Sequence, residues 1–345
     1  MSKQEANIYE IAREAGVSIA TVSRVMNRSA SVSEKSTRKV LEAVQKLNYV
    51  PNSMARSLST SVSMSIGVVV PDINNPFFSK VLKGVTTVAD EKGYQVILYS
   101  TDESEEREQK VLHTMREHRL RGIIITPVSE DCKDTLLQLQ DFAARSIPVV
   151  LLDREVDDPG FDRVVTQDED GVYRAICSLI RGGHSRIAIV TGPQHSRPGK
   201  ERLRGYERAM REFGLPIRPE YIRHGDFRME RACQETLALC SMEEPPTAIF
   251  ASNNMTTYGC LKAFGQLGLK VGKDIALFGF DDIDSLNWLN YNISVVCRDV
   301  NEMGRRAMRS LLNCFEMDKR SAQGQRDSLP TELILRGSEL CTARL

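Results

Sequence analysis

The chain has 345 residues, with 46 basic side chains balanced by 46 acidic ones, and 41% of its residues are hydrophobic. No run approaches the roughly twenty apolar residues of a membrane span, and the polar N-terminus lacks the apolar core of an export signal. The eight cysteines (Cys132, Cys177, Cys233, Cys240, Cys260, Cys297, Cys314 and Cys341) are scattered singly with no Cys-x-x-Cys pair, which argues for a reducing cytoplasm and against a periplasmic transport receptor.

The stretch from Asn7 to Asn27 reads as two short helices joined by a tight turn. Asn7 can cap the first helix, with Glu10 placed to complete a capping box. Ile8, Ile11, Ala12 and Ala15 then share one face. Gly16 can adopt the positive φ that turns the chain, and Ser18 can cap a second helix carrying Val22, Val25 and Met26. This spacing is that of a helix-turn-helix. A third helix is expected from Ser33 to about Leu47, with Val40, Leu41, Val44 and Leu47 closing a small core. Through residue 62 there are nine basic and five acidic side chains, so the head is basic and the remainder correspondingly acidic. That asymmetry suits a module that meets phosphates while the body stays off DNA.

Ala15-Gly-Val-Ser-Ile-Ala-Thr-Val-Ser-Arg24, Val32-Ser33 and Leu47-Asn-Tyr-Val-Pro-Asn-Ser-Met-Ala-Arg-Ser-Leu58 resemble the head-piece and hinge of the lac repressor and galactose repressor family, and the likeness runs through nearly the whole chain. The resemblance implies that Ile19, Ala20 and Arg24 face base edges in the major groove, Arg24 with a guanidinium able to donate twice to one guanine. It assigns phosphate contacts to Tyr9, Ser18, Thr21, Ser23 and Asn27, whereas Val22 and Val25 are core by spacing. Asn52, Ala55 and Leu58 fall in the segment that becomes a hinge helix on operator DNA, where Leu58 would wedge into a minor-groove step.

After the hinge, short β-rich runs alternate with helical candidates. Met64–Val70, Gln95–Tyr99, Gly122–Thr126 and Pro148–Asp153 form one series; Arg186–Thr191, Thr247–Ala251 and Asp274–Gly279 form a second. This is a doubly wound α/β architecture given twice, with a ligand cleft expected between the lobes, and the resemblance implies two Rossmann-like lobes of periplasmic-binding-protein type. The resemblance implies three interlobe crossings, here near 161–164, 290–294 and within 320–327. The expected organisation is a DNA-binding domain over 1–50, a hinge over 51–63, an N-terminal lobe over 64–162 plus 294–322, and a C-terminal lobe over 163–293 plus 323–340.

Polar groups at the carboxyl ends of these runs, where open parallel sheets bind ligands, provide aromatic faces beside amides, carboxylates and guanidiniums, the set a polyhydroxyl ring needs. The motifs resemble ribose-binding proteins and ribose-type repressors, and that likeness implies ligand contacts for Asn75, Phe77, Phe78, Asp153, Arg154, Arg202, Phe227, Asn253 and Asp281. Arg298 departs from the pattern, in which glutamine before a proline is frequent. If Arg298 enters the cleft, three guanidiniums (Arg154, Arg202, Arg298) face two carboxylates (Asp153, Asp281), a surplus that favours a sugar acid or sugar phosphate over plain ribose. Alternatively, Arg298 pairs outside the cleft with Asp299 or Glu302.

The five histidines show no paired metal-ligand spacing, and Gly192-Pro-Gln-His-Ser-Arg-Pro-Gly-Lys200 lacks the Ser or Thr a phosphate loop needs after its lysine. No metal, cofactor or catalytic residue is expected. The expected protein is a cytoplasmic, homodimeric transcription regulator, a repressor on a pseudo-palindromic operator, controlled by a small ligand between the lobes. A regulator controlled by a protein corepressor and a sugar-modifying enzyme with a DNA module stand as alternatives, and the sign of control stays open.

Overall fold

The computed structural model describes residues 7–26, 32–47, 49, 63–316 and 323–341, and divides the chain into two compact units, 1–63 and 64–345. Asn27 and the hinge positions Asn52, Ala55 and Leu58 lie outside the described residues.

The first unit holds three helices. Asn7 caps α1 (Ile8–Ala15) with its side chain accepting from the N–H groups of Tyr9 and Glu10, and the Glu10 carboxylate returns to the Asn7 N–H at 3.0 Å. This reciprocal arrangement satisfies donors that the first helical turn leaves orphaned. Gly16 ends the helix at φ 63°, a left-handed conformation that costs a residue without Cβ little. The Ser18 hydroxyl accepts from Thr21 N–H at the start of α2 (Ile19–Met26), and Ser33 caps α3 (Glu34–Lys46). Ile11, Ala12, Ala15, Val22, Val25, Val40 and Ala43 form the shared core.

The second unit contains two six-stranded sheets. The N-terminal lobe is built on β1 (Ser65–Val70), β2 (Gln95–Ser100), β3 (Gly122–Ile125), β4 (Val149–Leu152), β5 (Asp162–Thr166) and β11 (Arg326–Leu329), in the order β11-β5-β4-β3-β1-β2 and parallel throughout. In the C-terminal lobe the order is β12-β10-β9-β8-β6-β7, from β6 (Ile187–Thr191), β7 (Ile222–His224), β8 (Ala248–Ala251), β9 (Ala276–Phe280), β10 (Ser294–Cys297) and β12 (Glu332–Ile334). Only β12 runs antiparallel there. Strands covered on both faces explain the continuous Val/Ile/Leu runs.

In the N-terminal lobe, α4 (Pro76–Glu91) and α12 (Val300–Glu316) cover one sheet face, while α5 (Glu105–Glu117) and α6 (Lys133–Ala144) cover the other. The C-terminal lobe has α7 (Asp168–Arg181) with α8 (Arg197–Glu212), and α9 (Met229–Cys240) with α10 (Asn254–Leu267); a short α11 (Asp284–Trp288) follows β9. Helices α4 and α12 touch through glycine: a Cβ on Gly304 would lie 2.1 Å from the Val81 carbonyl oxygen, and one on Gly84 equally close to that of Asn301.

Each crossing between lobes falls a few residues beyond its expected place. Strand β5 hydrogen-bonds to β4, so 162–166 belong to the N-terminal lobe and the chain crosses at Gln167. β10 pairs with β9, which keeps 294–297 in the C-terminal lobe and puts the second crossing at Arg298-Asp299. β11 pairs with β5, which assigns 326–329 to the N-terminal lobe and moves the third crossing to Pro330-Thr331. The expected boundaries at 162, 293 and 322 are corrected accordingly. The crossings lie side by side: Gln167 N–H donates to Leu329 O at 3.0 Å, Thr331 Oγ1 to Gln167 O at 3.2 Å, and Arg298 Nη1 to Thr166 Oγ1 at 3.0 Å.

Candidate DNA-reading face and interlobe site

Within the first unit, Tyr9, Ser18, Ile19, Ala20 and Arg24 are exposed and Thr21 and Ser23 half-buried, whereas Val22 and Val25 are buried. The residues expected at DNA therefore fall on the open side of α1 and α2, and those read as core fall inside. Tyr9 at 68% and Ile19 at 42% exposure present apolar surface on the same unit as the exposed Arg24 cation, a combination suited to a groove with base edges and phosphates.

In the second unit the strand ends carry unusual backbone. Asp102 and Glu103 after β2, Asp153 after β4, Asp226 and Phe227 after β7, and Asp281 after β9 all have positive φ, between 51° and 68°. Left-handed non-glycine residues cost energy and collect where a fold holds side chains in a required orientation.

Arg298 joins the two sheets. It leaves the second crossing and is 6% exposed. Its Nε and Nη2 donate to the two carboxylate oxygens of Asp281 in the C-terminal lobe, at 2.8 and 3.1 Å. Nη1 donates to Asp153 Oδ1 in the N-terminal lobe at 2.6 Å. Burial disfavours the cation, but Asp281, Asp153 and Asp168 outweigh it and hold the Arg298 pKa well above its ordinary value. The alternative, a pairing with Asp299 or Glu302 outside the cleft, is thereby set aside.

The other two arginines are also paired. Arg154 meets Glu103 in a bidentate contact, 2.7 Å on each arm. Arg202 Nε donates to Asp168 Oδ2 at 2.8 Å, and its Nη1 to the Ser252 carbonyl. Asp168 is fully buried; burial alone would raise its pKa, but Arg202, Arg298 and Arg197 together lower it. The three expected guanidiniums are thus matched by four carboxylates, Glu103, Asp153, Asp168 and Asp281, and the further buried Arg197 has its own partners in Glu155 and Glu201. The expected surplus of positive charge is corrected, and with it the argument that favoured a sugar acid or sugar phosphate over plain ribose. Glu103 and Asp168 were missed because nothing in their local spacing marks them as partners of residues 51 and 34 positions away.

Rings separate the guanidiniums. Arg298 stands 4.2 Å from the Phe77 centroid and 5.2 Å from that of Phe280; Arg202 is 3.6 Å from Phe280 and 5.5 Å from Phe227; Arg154 is 5.7 Å from Phe227. The series Phe77, Arg298, Phe280, Arg202, Phe227, Arg154 alternates ring and cation between the lobes, each contact a cation–π attraction strengthened by desolvation. Phe280 escaped the sequence reading because it looks like the last apolar residue of a core strand. Phe78 takes the opposite part: it packs edge-on against Phe77 within the N-terminal core.

Asn75 and Asn253 are buried at the site, and each spends its side-chain oxygen on a helix cap, Asn75 accepting from Phe77 N–H and Asn253 from Thr256 N–H. At the carboxyl ends of β2, β3 and β4, Thr101 Oγ1, Thr126 Oγ1 and Arg154 Nε are buried with no hydrogen-bonding partner in the protein.

A helix-turn-helix unit on the same chain as a two-lobed α/β core, with charged and aromatic side chains gathered at the strand ends between the lobes, defines a DNA-binding regulator with a ligand-sensing core. Residues 7–52 match the profile of bacterial regulatory proteins of the lacI family, and residues 63–331 that of periplasmic binding proteins and the sugar binding domain of the LacI family. The chain belongs to the LacI family and is a transcriptional repressor.

It is 32% identical over 333 residues to the HTH-type transcriptional repressor PurR of Actinobacillus pleuropneumoniae serotype 3, covering 96% of this chain and 98% of that protein. Among solved structures it resembles the lac repressor dimer bound to operator and the anti-inducer ONPF, with 28% identity, TM-score 0.83, and coverage of 98% and 100% of the two chains. It also resembles the transcriptional regulator CelR in complex with cellobiose, with 27% identity, TM-score 0.72, and coverage of 96% and 99%. These relatives are transcriptional regulators, not enzymes. No described helix is long and apolar enough to cross a membrane.

Proposed function

We propose that this repressor acts as a homodimer on a pseudo-palindromic operator in the cytoplasm, and that a small polyhydroxylated ligand, a sugar or sugar derivative, sets its operator affinity by binding between the lobes. The observation that carries this reading is the buried network at the strand ends, where carboxylates from both lobes converge beside three phenylalanine rings. Hydroxyl groups pair with carboxylates and guanidiniums, and ring faces cover the C–H surface of a sugar. The buried, unpartnered Thr101 and Thr126 hydroxyls and Arg154 Nε add polar groups in want of a partner. Asn75, Phe77, Asp153, Arg154, Arg202, Phe227, Asn253, Asp281 and Arg298 would line the ligand.

Arg24, with Ile19 and Ala20, would read base edges, and Tyr9, Ser18, Thr21 and Ser23 would hold phosphates. Exposed Trp288, Leu289 and Tyr291 on the C-terminal lobe offer apolar surface to a second copy of the chain.

The test is a thermal-shift screen against neutral sugars, sugar acids, sugar phosphates and purines, since a ligand of the native state raises the melting temperature by mass action. A neutral sugar hit whose shift disappears in Phe227→Ala supports the reading. A hit insensitive to Phe227 and Asn253 replacements places the ligand elsewhere, and a panel without hits favours a protein partner.

A further inference from the structure

Arg298 already does what a ligand between the lobes would do. It occupies Asp281 of the C-terminal lobe and Asp153 of the N-terminal lobe, and its guanidinium lies 4.2 Å from the Phe77 ring of one lobe and 5.2 Å from the Phe280 ring of the other. Among the other cross-lobe ion pairs, Arg197–Glu155 at 3.2 Å is nearly as buried, its side chains 8% and 14% exposed, and the rest are more open to solvent. Lys80 meets Asp284 at 3.1 Å and Lys200 meets Glu130 at 2.9 Å, all four side chains between 19% and 53% exposed, against 2% for the Arg298 side chain. Solvent screens the two lysine pairs and leaves the buried Arg298 and Arg197 bridges dominant, of which that of Arg298 is the more deeply buried. The Arg298 Cα sits on the second crossing, where the angle between the lobes is set, so any opening must lengthen at least one of its carboxylate bonds.

We propose that Arg298 is a built-in clamp that closes the strand ends of the two lobes in the absence of effector and that effector hydroxyls insert into it, each donating to Asp153 or Asp281 while accepting from the guanidinium. Arg298 is then the specificity-determining residue of the cleft. A hydroxyl is both donor and acceptor and can enter such a bond without stranding either charge. A carboxylate or phosphate can only accept, and would leave Asp153 and Asp281 without donors. The class selected is a neutral polyol, a ring or chain with adjacent hydroxyls. This inference rests on the cleft being the effector site, but the clamp itself can be tested with no effector present.

Glu130 N–H, in the N-terminal lobe, donates to the His195 carbonyl of the C-terminal lobe at 2.9 Å and serves as a reporter of closure. Hydrogen exchange of the full-length protein would be followed at Glu130 and at the β1 amides 65–70 in the wild type, Arg298→Gln and Asp153→Asn. The clamp predicts that Glu130 loses at least about tenfold protection in both variants while β1 is unchanged, because local opening, not global unfolding, exposes it. Unchanged Glu130 protection overturns the proposal, as does parallel loss at Glu130 and β1, which would mark a merely structural role. If Arg298→Gln does not fold, Asp153→Asn decides the matter, since it removes only the charged half of the N-terminal-lobe arm and leaves the bond to Thr166 Oγ1. If Glu130 opens as expected but the ligand shift ignores Phe227→Ala, the clamp stands and the cleft is not the effector site.

Discussion

The ring of Phe280 lies between two guanidiniums, 3.6 Å from that of Arg202 and 5.2 Å from that of Arg298. One apolar side chain at the end of β9 therefore supports both the Arg202–Asp168 pair and the Arg298 bridge. Phe280→Leu keeps an apolar body of smaller volume but removes both ring faces. The expected loss is about 1–3 kcal/mol of unfolding free energy, from lost packing and lost cation–π attraction. Urea unfolding checks it, and an unchanged midpoint would show that the ring is ordinary core.

Asp168 pairs with Arg202 while fully buried. Asp168→Asn removes the charge and leaves Arg202 without its carboxylate. A stability loss of about 3–5 kcal/mol is expected, the penalty for an uncompensated buried cation. The same urea titration measures it, and a loss under about 1 kcal/mol would mean that the Ser252 carbonyl suffices for Arg202.

Glu108 is buried on α5, accepting from Val128 N–H at 2.8 Å and from the Thr135 hydroxyl at 2.6 Å, and burial pushes its carboxyl up to about 7. Its folded pKa is thus above the unfolded one. Stability is full below about pH 4.5 as far as this group is concerned and declines as pH rises toward 7, because the folded state holds a proton that the unfolded state has released. The total is about 3 kcal/mol. Glu108→Gln should flatten the slope of stability against pH between 5 and 7. A slope identical to wild type would assign the proton uptake elsewhere.

Arg24→Ala should weaken binding to a selected operator by about 1–3 kcal/mol and relax preference at one base pair, with little change in non-specific affinity. Binding-site selection followed by titration at fixed salt measures both. Equal loss on all sequences would make Arg24 a phosphate contact.

The three-helix unit was legible because its signals are local. Asn7 and Glu10 are three residues apart, Gly16 turns the chain alone, and the Val22 and Val25 face repeats within one helix. Seven strands were legible from their length and Val/Ile content, whereas β5, β7, β10, β11 and β12, which lie at or next to sheet edges or are interrupted by polar residues, carried no such signal. The crossings were not, because the sheet to which a strand belongs depends on a partner far along the chain, as when Thr166 registers with Leu329. Likewise, Arg298 could be placed only through carboxylates 17 and 145 residues away. Asn75, Phe77, Asp153, Arg154, Arg202, Phe227 and Asp281 do gather at the strand ends, but their partners Glu103, Asp168 and Phe280 could be found only in three dimensions.

The side-by-side crossings at Gln167, Arg298-Asp299 and Pro330-Thr331 have a mechanical consequence. Three short parallel ligaments tied to one another form a flexure. Such a joint resists sliding and twisting because every ligament would have to stretch, and it yields in bending about the line that passes through all three. The lobes then have a single soft coordinate, so a change of a few ångströms at the strand ends is transmitted as an angle rather than dissipated as a general loosening.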